Sequence, residues 1–408
     1  MNDIKNSLKD RCHVATGQDG NRFVGIKADT ENVAIYFPIG WNLPDDETAL
    51  RQDIKMLFNI LCSFMKNDDT ISARDIGASQ NVEFPIHAYL KIIERFLNDG
   101  KYYVEFDSKY KVGANGQISW ARTLRTQKGF IKDGNLVFIN TVARHLNPDS
   151  NRQITQIHKF CVYEAFDKLG WLYIVNKPEL PGTHPSIKES IQILNKKLSD
   201  SHKDSEQELF FAMLNMLKYL NEQDSSQNYL FGTNYFERIW EKMIDKAFGI
   251  ENKSKFFPKT HWLLDRDKNV KRGSLFPDSI MICNGKVYVL DAKYYKYGQT
   301  GRFDDLPSSA DINKQITYGE YIAQHLQISN ERLFNAFLLP YNMDDNKFGF
   351  KSAFENFGEA IGDWKSNANN YERIQGIVID TKFLMYNYLT ISEDHKHNLA
   401  RVIERISN

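Results

Sequence analysis

The run LFPDSIMICNGKVYVLDAKYY, Leu275 to Tyr295, places two apolar, β-branched stretches on either side of Asn284-Gly285. Asn-Gly is the strongest short-range hairpin signal, because a two-residue type I′ turn needs positive φ at both central positions. Counting outward from the turn pairs Cys283 with Lys286, Ile282 with Val287 and finally Asp278 with Asp291. The two carboxylates then face each other across the ladder, roughly 5 Å apart at Cβ, where like charges destabilise unless something neutralises them. A divalent cation would do so. Lys293, two residues past Asp291, points to the same face. VYVLDA is apolar on both faces and reads as a buried strand with neighbours on each side. Two acids and a lysine gathered this way point to metal-dependent phosphodiester hydrolysis.

Pro277-Asp278 followed by Asp291-Ala292-Lys293 resembles the PD-(D/E)xK nuclease superfamily. The resemblance implies a restriction-endonuclease-like core and hard oxygen ligands from Asp278, Asp291 and the Ala292 carbonyl, suited to Mg²⁺, with Mn²⁺ as a substitute. It also implies an acid from the helix preceding the sheet. In NYFERIWEKMIDKAFG, Asn234 to Gly249, the buried stripe is Phe236, Ile239, Trp240, Met243, Ile244 and Ala247. Glu237 lies at its edge and Glu241 one turn on, further toward solvent, so Glu237 is the expected metal ligand and Glu241 the expected surface partner of a lysine. Beyond the hairpin, KYGQTGRFDDLPSSA reads as a loop leading to a helix from Asp311. Gln315 and Tyr318 share a face of that helix, like the Gln-and-Tyr element of several nuclease families, and are expected to orient substrate or Lys293. LFNAFLLPY and IQGIVIDTKFL read as further buried strands, giving a core of helix, three strands, helix, strand. Lys293 is expected to position or deprotonate the attacking water, or to stabilise the equatorial oxygens.

At 408 residues, 42% of them hydrophobic and 25% charged, the chain has material for two or three cores. No stretch of about 18 apolar residues occurs and MNDIKNSLKD lacks a signal peptide's apolar run, so a soluble, cytoplasmic protein with no membrane contact is expected. Cys12, Cys62, Cys161 and Cys283 form no CxxC pair, and the ten histidines show no ligand spacing; His395 and His397, after SED, read as a solvated helix start. Lys plus Arg equals Asp plus Glu at 52 each, which excludes a global basic field for holding DNA. No GxxxxGK[ST] is present, so any nucleotide hydrolysis belongs to another chain.

The expected fold class is mixed α/β: an N-terminal mixed α/β domain over 1–150, a helical connector over 151–228 and the PD-(D/E)xK core over 229–408. Strands are expected at RFVGIKA and NVAIYFPIG, followed by a helix carrying Leu50, Ile54, Leu57, Leu61 and Phe64 and another from Pro85 to Gly100. Lys101 to Lys132 holds seven basic residues against two acids, interleaved with Tyr102, Tyr103, Tyr110, Trp120 and Phe130. Such a stripe suits a nucleic-acid backbone, though a solvated sheet face over a half-buried aromatic core is the more common outcome. DSSQNYLFGT is the expected boundary before the nuclease core.

YFERIWEKMI, PDSI, VLDAKYY and INKQITYGEYI, with FVGI, FPIGW, NGQISWARTLR and IHKFCVYEAFDKLGW before them, resemble the LlaJI family of restriction endonucleases from about Arg22 to Tyr321. That family is similar to McrC, the nuclease subunit of modification-dependent restriction. The resemblance implies a cleavage subunit for double-stranded DNA that works with an AAA+ GTPase partner like McrB, docked through residues 1–150. Two other readings stay open: a self-sufficient restriction enzyme whose basic strands read the site, and a non-catalytic adaptor that stimulates an AAA+ NTPase.

Overall fold

The computed structural model describes residues 7–17, 21–29, 32–65, 84–113, 115–149, 151–222, 228–262 and 272–405. Its contacts divide the chain into two compact units, one built from 1–83 with 226–408 and the other from 84–225. The three consecutive stretches expected from sequence are therefore grouped differently.

The first unit begins with β1 (Cys12–Val14), β2 (Val24–Ala28) and β3 (Val33–Phe37), followed by helix α1 (Glu47–Met65). The stripe Leu50, Ile54, Leu57, Leu61 and Phe64 is buried, as its helical spacing requires.

The second unit opens with α2 (Ile86–Asp99), preceded by Pro85 at the N-cap and ended by Gly100 in the left-handed region. There follow β4 (Glu105–Val112), β5 (Gln117–Ile118), α3 (Trp120–Thr126), the hairpin β6 (Gly129–Lys132) with β7 (Asn135–Phe138), and β8 (Val142–Asp149). Helices α4 (Gln153–Leu169), α5 (Ile187–Asp200) and α6 (Asp204–Glu222) pack with one another, and α4 and α6 also pack with α2. The stretch read as a connector is thus part of this unit's core. Tyr102 and Tyr103 face that core, against Phe96 and Phe210, so for them the packing role wins. Tyr110 lies under the Arg122 guanidinium, 3.6 Å from its ring centre, while Trp120 and Phe130 are exposed.

His158 is buried in this unit; its Nδ1 accepts the Tyr103 N–H at 2.8 Å and its Nε2 has no partner among the described residues. Burial depresses its pKa to about 4, below the ordinary 6.5. A folded-state pKa below the unfolded one means the unfolded chain binds the extra proton, so stability is full above about pH 6.5 and drains as pH falls toward 4. The loss is roughly 1.4 kcal/mol per pH unit across that window. Thermal melts from pH 7 to pH 4.5 should show this slope, reduced in His158→Gln; an identical slope in the variant would refute it.

The chain returns to the first unit with β9 (Tyr229–Thr233). The expected boundary ran through this segment, whose residues before 228 lie outside the described residues, but YLFGT forms a strand pairing antiparallel with β2 in a sheet ordered β1, β3, β2, β9. Gly25 and Gly232 face each other there at φ 143° and 153°, and the Phe23 ring covers both. A Cβ at either glycine would come within 2.2 Å of the opposite backbone.

Helix α7 (Phe236–Phe248) and a small pair, β10 (Lys259–His261) with β11 (Arg272–Ser274), lead to β12 (Ser279–Cys283) and β13 (Lys286–Ala292). After the short α8 (Tyr297–Thr300) come α9 (Ser309–Leu326), β14 (Leu333–Tyr341), β15 (Phe354–Ala360), β16 (Ile374–Asp380), α10 (Thr381–Asn387) and α11 (Glu393–Ile403). The main sheet runs β12, β13, β14, β16, β15, with β13, β14 and β16 mutually parallel and the outer strands antiparallel. Between α7 and α9 it receives two strands and after α9 three, where the sequence suggested three and one. The final strand also stops early: Asp380 accepts the Phe383 N–H as a helix N-cap, so TKFL becomes helix.

Helix α7 packs on β12 and β13, and α9 packs on β13, β14 and β16. The N-terminal sheet is tied to this core through the turn after β3, where the Ile39 N–H donates to the Tyr294 hydroxyl at 2.7 Å and the Ile39 carbonyl accepts the Thr381 hydroxyl at 2.8 Å. Buried Asp53 of α1 accepts from Lys382 at 2.7 Å and from the Tyr386 hydroxyl at 2.6 Å. The architecture is mixed α and β, and no helix among the described residues is long and apolar enough to cross a membrane.

Candidate active site

Asn284 and Gly285 adopt φ 50° and 71°, the left-handed pair a type I′ turn needs. The ladder runs from Cys283 opposite Lys286 to Ser279 opposite Leu290, the register counted from the turn. Asp278 immediately precedes this ladder on one strand and Asp291 immediately follows Leu290 on the other, so the register brings both acids to the end of the hairpin. Asp278 Oδ2 accepts the Ala292 N–H at 2.9 Å, and its own carbonyl accepts from Lys253 at 3.0 Å, so both side chain and backbone are held.

Asp291 is only 2% exposed. Its Oδ2 touches the Lys293 ammonium at 2.6 Å, and its Oδ1 lies 4.0 Å from Lys314. Lys293 also contacts Asp311 at 3.0 Å. Asp311 is itself fixed in the capping box that starts α9, exchanging hydrogen bonds with Ser308.

The sequence-expected pair on α9 is buried and structural in its contacts. Gln315 Nε2 donates to the Val289 carbonyl at 2.8 Å, and the Tyr318 hydroxyl donates to the Phe276 carbonyl at 2.9 Å. Each anchor lies two residues before an acid, Val289 before Asp291 and Phe276 before Asp278. The residues that reach Lys293 and Asp291 are instead Asp311 and Lys314, on the same helix face at i, i+3, i+4 and i+7. That spacing was visible in the sequence, as was Ser308-x-x-Asp311.

Glu241 behaves differently from the surface acid expected. Both Glu237 and Glu241 are half-buried. Burial, then the Asp291 carboxylate, raise the Glu241 pKa, and Glu241 in turn helps raise that of Asp278. Glu237 acts on Glu241 and Tyr294, and does not figure among the main influences on Asp278 or Asp291. The Trp240 indole N–H, donating to the Leu338 carbonyl at 3.2 Å, sets the helix rotation that brings this about.

Burial, assisted by Asp291 and Glu241, raises Asp278 well above the usual carboxylate range, against the pull of the Ala292 N–H and Lys293. Burial raises Asp291 too, outweighing Lys293 and Lys314. Burial alone would lower Lys293, but Asp291 and Asp311 outweigh it and hold the ammonium protonated. Acids and lysine alike bind protons more tightly than usual, the signature of surplus negative charge in a dry place. A divalent cation relieves that condition, and carboxylate oxygens are the donors Mg²⁺ prefers. Among the described residues no three His, Cys, Asp or Glu side chains close into a complete ligand set. A metal held at these acids would draw on backbone carbonyl and water besides, as Mg²⁺ commonly does. His395 sits at the capped start of α11, bonded to Ser392, and His397 contacts Asn284.

Residues 23–359 match the model of the LlaJI restriction endonuclease family. The chain is 24% identical over 347 residues to the type II restriction enzyme BsuMI component YdjA of Bacillus subtilis (strain 168), covering 80% of this chain and 73% of that relative. Among solved structures, the Thermococcus gammatolerans assembly of McrB AAA+ hexamers with bound McrC is similar at 13% identity and a TM-score of 0.38, covering 93% of this chain and 83% of the other. That score is too low to bear on fold or partner.

Proposed function

We propose, from the premise that the chain belongs to the LlaJI restriction endonuclease family, that it is the Mg²⁺-dependent cleavage subunit of a restriction system, hydrolysing phosphodiester bonds of double-stranded DNA. The observation that carries this reading is the opposition of Asp278 and buried Asp291 at the end of the hairpin with Lys293 in contact, surplus charge included. Asp278, Asp291 and the Ala292 carbonyl would hold the metal, with Glu241 a better third acid than Glu237; Mn²⁺ would substitute. When bound, the metal lowers the pKa of a coordinated water and offsets charge on the phosphorane-like transition state.

The chain's own groups do the rest. Lys293, gripped by two carboxylates and protonated, cannot serve as a general base in this state; it orients Asp291 and steadies negative charge. Gln315 and Tyr318 hold the two acid-bearing strands at fixed height, a positioning role.

A working partner, an AAA+ GTPase like McrB, is part of the proposal. The neutral charge balance and missing Walker A motif favour a subunit brought to DNA by another chain. Of residues 1–150, the part before 66 is built into the nuclease unit, whereas Phe130, Ile131, Leu136 and Val137 on the β6–β7 hairpin, with Trp120 and Leu124 on α3, lie exposed. Exposed apolar groups in such number mark a protein contact, so docking is assigned to this hairpin side of the second unit. A cytoplasmic location fits this work.

The test is plasmid cleavage with Mg²⁺, with and without an McrB-like AAA+ GTPase and GTP. Cleavage needing chain, partner and GTP together is the expected result. Cleavage by the chain alone would leave a self-sufficient restriction enzyme, and stimulated partner NTPase with no cleavage under any condition would leave the adaptor.

A further inference from the structure

Three lysines surround the acid pair, and they are not equivalent. Lys253 is committed to Asp245 at 2.6 Å and to the Asp278 carbonyl. Lys293 is committed on both sides, to Asp291 and Asp311, and its side chain is 12% exposed. At most one donor of that ammonium is left for an incoming phosphate, on a side chain that solvent barely reaches. Lys314 differs on both counts. Its side chain is 42% exposed, and its ion-pair contact among the described residues, to Asp291 Oδ1, is at 4.0 Å, the outer limit of such contact.

The root of Lys314 is nevertheless rigid. Asp311, one turn earlier, is locked in the capping box, and the next residue, Gln315, is bonded at Nε2 to Val289 and at its carbonyl to the Asn335 amide at 2.9 Å. The Lys314 ammonium lies 5.6 Å from the centre of the Tyr318 ring, whose hydroxyl is itself tied to Phe276. A cation on a fixed helix face, open to solvent yet within reach of Asp291, is what a phosphate entering this site would meet first.

We infer that Lys314 is a further catalytic residue: its ammonium binds a non-bridging oxygen of the scissile phosphate and stabilises the charge that grows there in the transition state. The inference rests on the nuclease reading above and adds a substrate contact to that site. Lysine suits the task as a compact point charge that does not require a fixed fork of donors. The labour is then divided, Lys293 serving the acids and Lys314 the substrate.

The experiment compares wild type, Lys314→Met and Lys314→Arg in the same reconstituted plasmid assay, under single turnover, across a Mg²⁺ titration and a DNA titration. Loss of one donor aimed at developing charge costs roughly 10²- to 10³-fold in rate. The expected result is a loss of that size in Lys314→Met at saturating Mg²⁺ and saturating DNA, with apparent DNA affinity reduced less than about ten-fold, and recovery to within about ten-fold of wild type in Lys314→Arg. A thermal melt matching wild type accompanies it, since the side chain is largely exposed. Cleavage by Lys314→Met within about three-fold of wild type overturns the assignment. So does a loss that extra Mg²⁺ fully restores, because Lys314 would then only tune the charge of Asp291. If wild type itself never cleaves, the nuclease reading fails first and this inference with it.

Discussion

Asp291→Asn is expected to abolish DNA cleavage, by about 10³-fold or more, while leaving the chain folded. The substitution keeps the shape of a side chain that is almost wholly buried and removes one of the oxygens that would face the metal. Metal stabilisation of transition-state charge is worth several kcal/mol, which converts to roughly 10³-fold in rate. Folding should survive because the acid stabilises little by itself. Its burial opposes ionisation, and its charge raises the proton affinity of both Asp278 and Glu241. Lys293 loses one partner but keeps Asp311. Single-turnover cleavage and a thermal melt on the same preparation decide the matter. Cleavage within ten-fold of wild type would remove Asp291 from the chemistry, and a collapsed melt would mean that the acid is structural.

Glu241→Gln and Glu237→Gln should separate cleanly. The first is expected to lose roughly 10- to 100-fold in activity at fixed Mg²⁺, the range seen when groups that tune a metal site are removed, and to need more Mg²⁺ for half-maximal rate. The second should stay within about three-fold of wild type. The reasoning is electrostatic: Glu241 is coupled through space to both Asp291 and Asp278, whereas Glu237 acts chiefly on Glu241 and Tyr294. The reverse ordering in a Mg²⁺ titration would restore Glu237 as the third acid.

The pairing of acids was legible because a hairpin is local. Two residues of turn chemistry set the register, and period-two alternation carried it along five ladder pairs to the point where Asp278 and Asp291 come next. The choice between Glu237 and Glu241 was not local. Both flank one buried stripe, and which turns toward the sheet end depends on how α7 is rotated, a matter settled by Trp240 bonding to a strand almost a hundred residues away. Asp311 and Lys314 were in plain sight beside Gln315 and Tyr318, yet a charged residue in a helix's first turns is usually a cap or a solvated neighbour, and Asp311 is a cap as well as a partner for Lys293. The strand β9 was hidden by composition: YLFGT follows a polar run and ends near glycine, which reads as a linker until Gly232 is seen to need Gly25 opposite it.

The pairing of β2 with β9 has a consequence for how the protein is made. On a ribosome adding roughly 5 to 20 residues per second, β2 waits about 10 to 40 s for its partner strand to emerge. The intervening unit, contiguous in sequence, can collapse during that interval, while the first three strands hold an open edge. The acid-bearing hairpin appears later still, and the strand β14 and helix α9 that brace it follow it. The two acids therefore stand without their full bracing until β14, which begins at Leu333 of the 408 residues, has been translated.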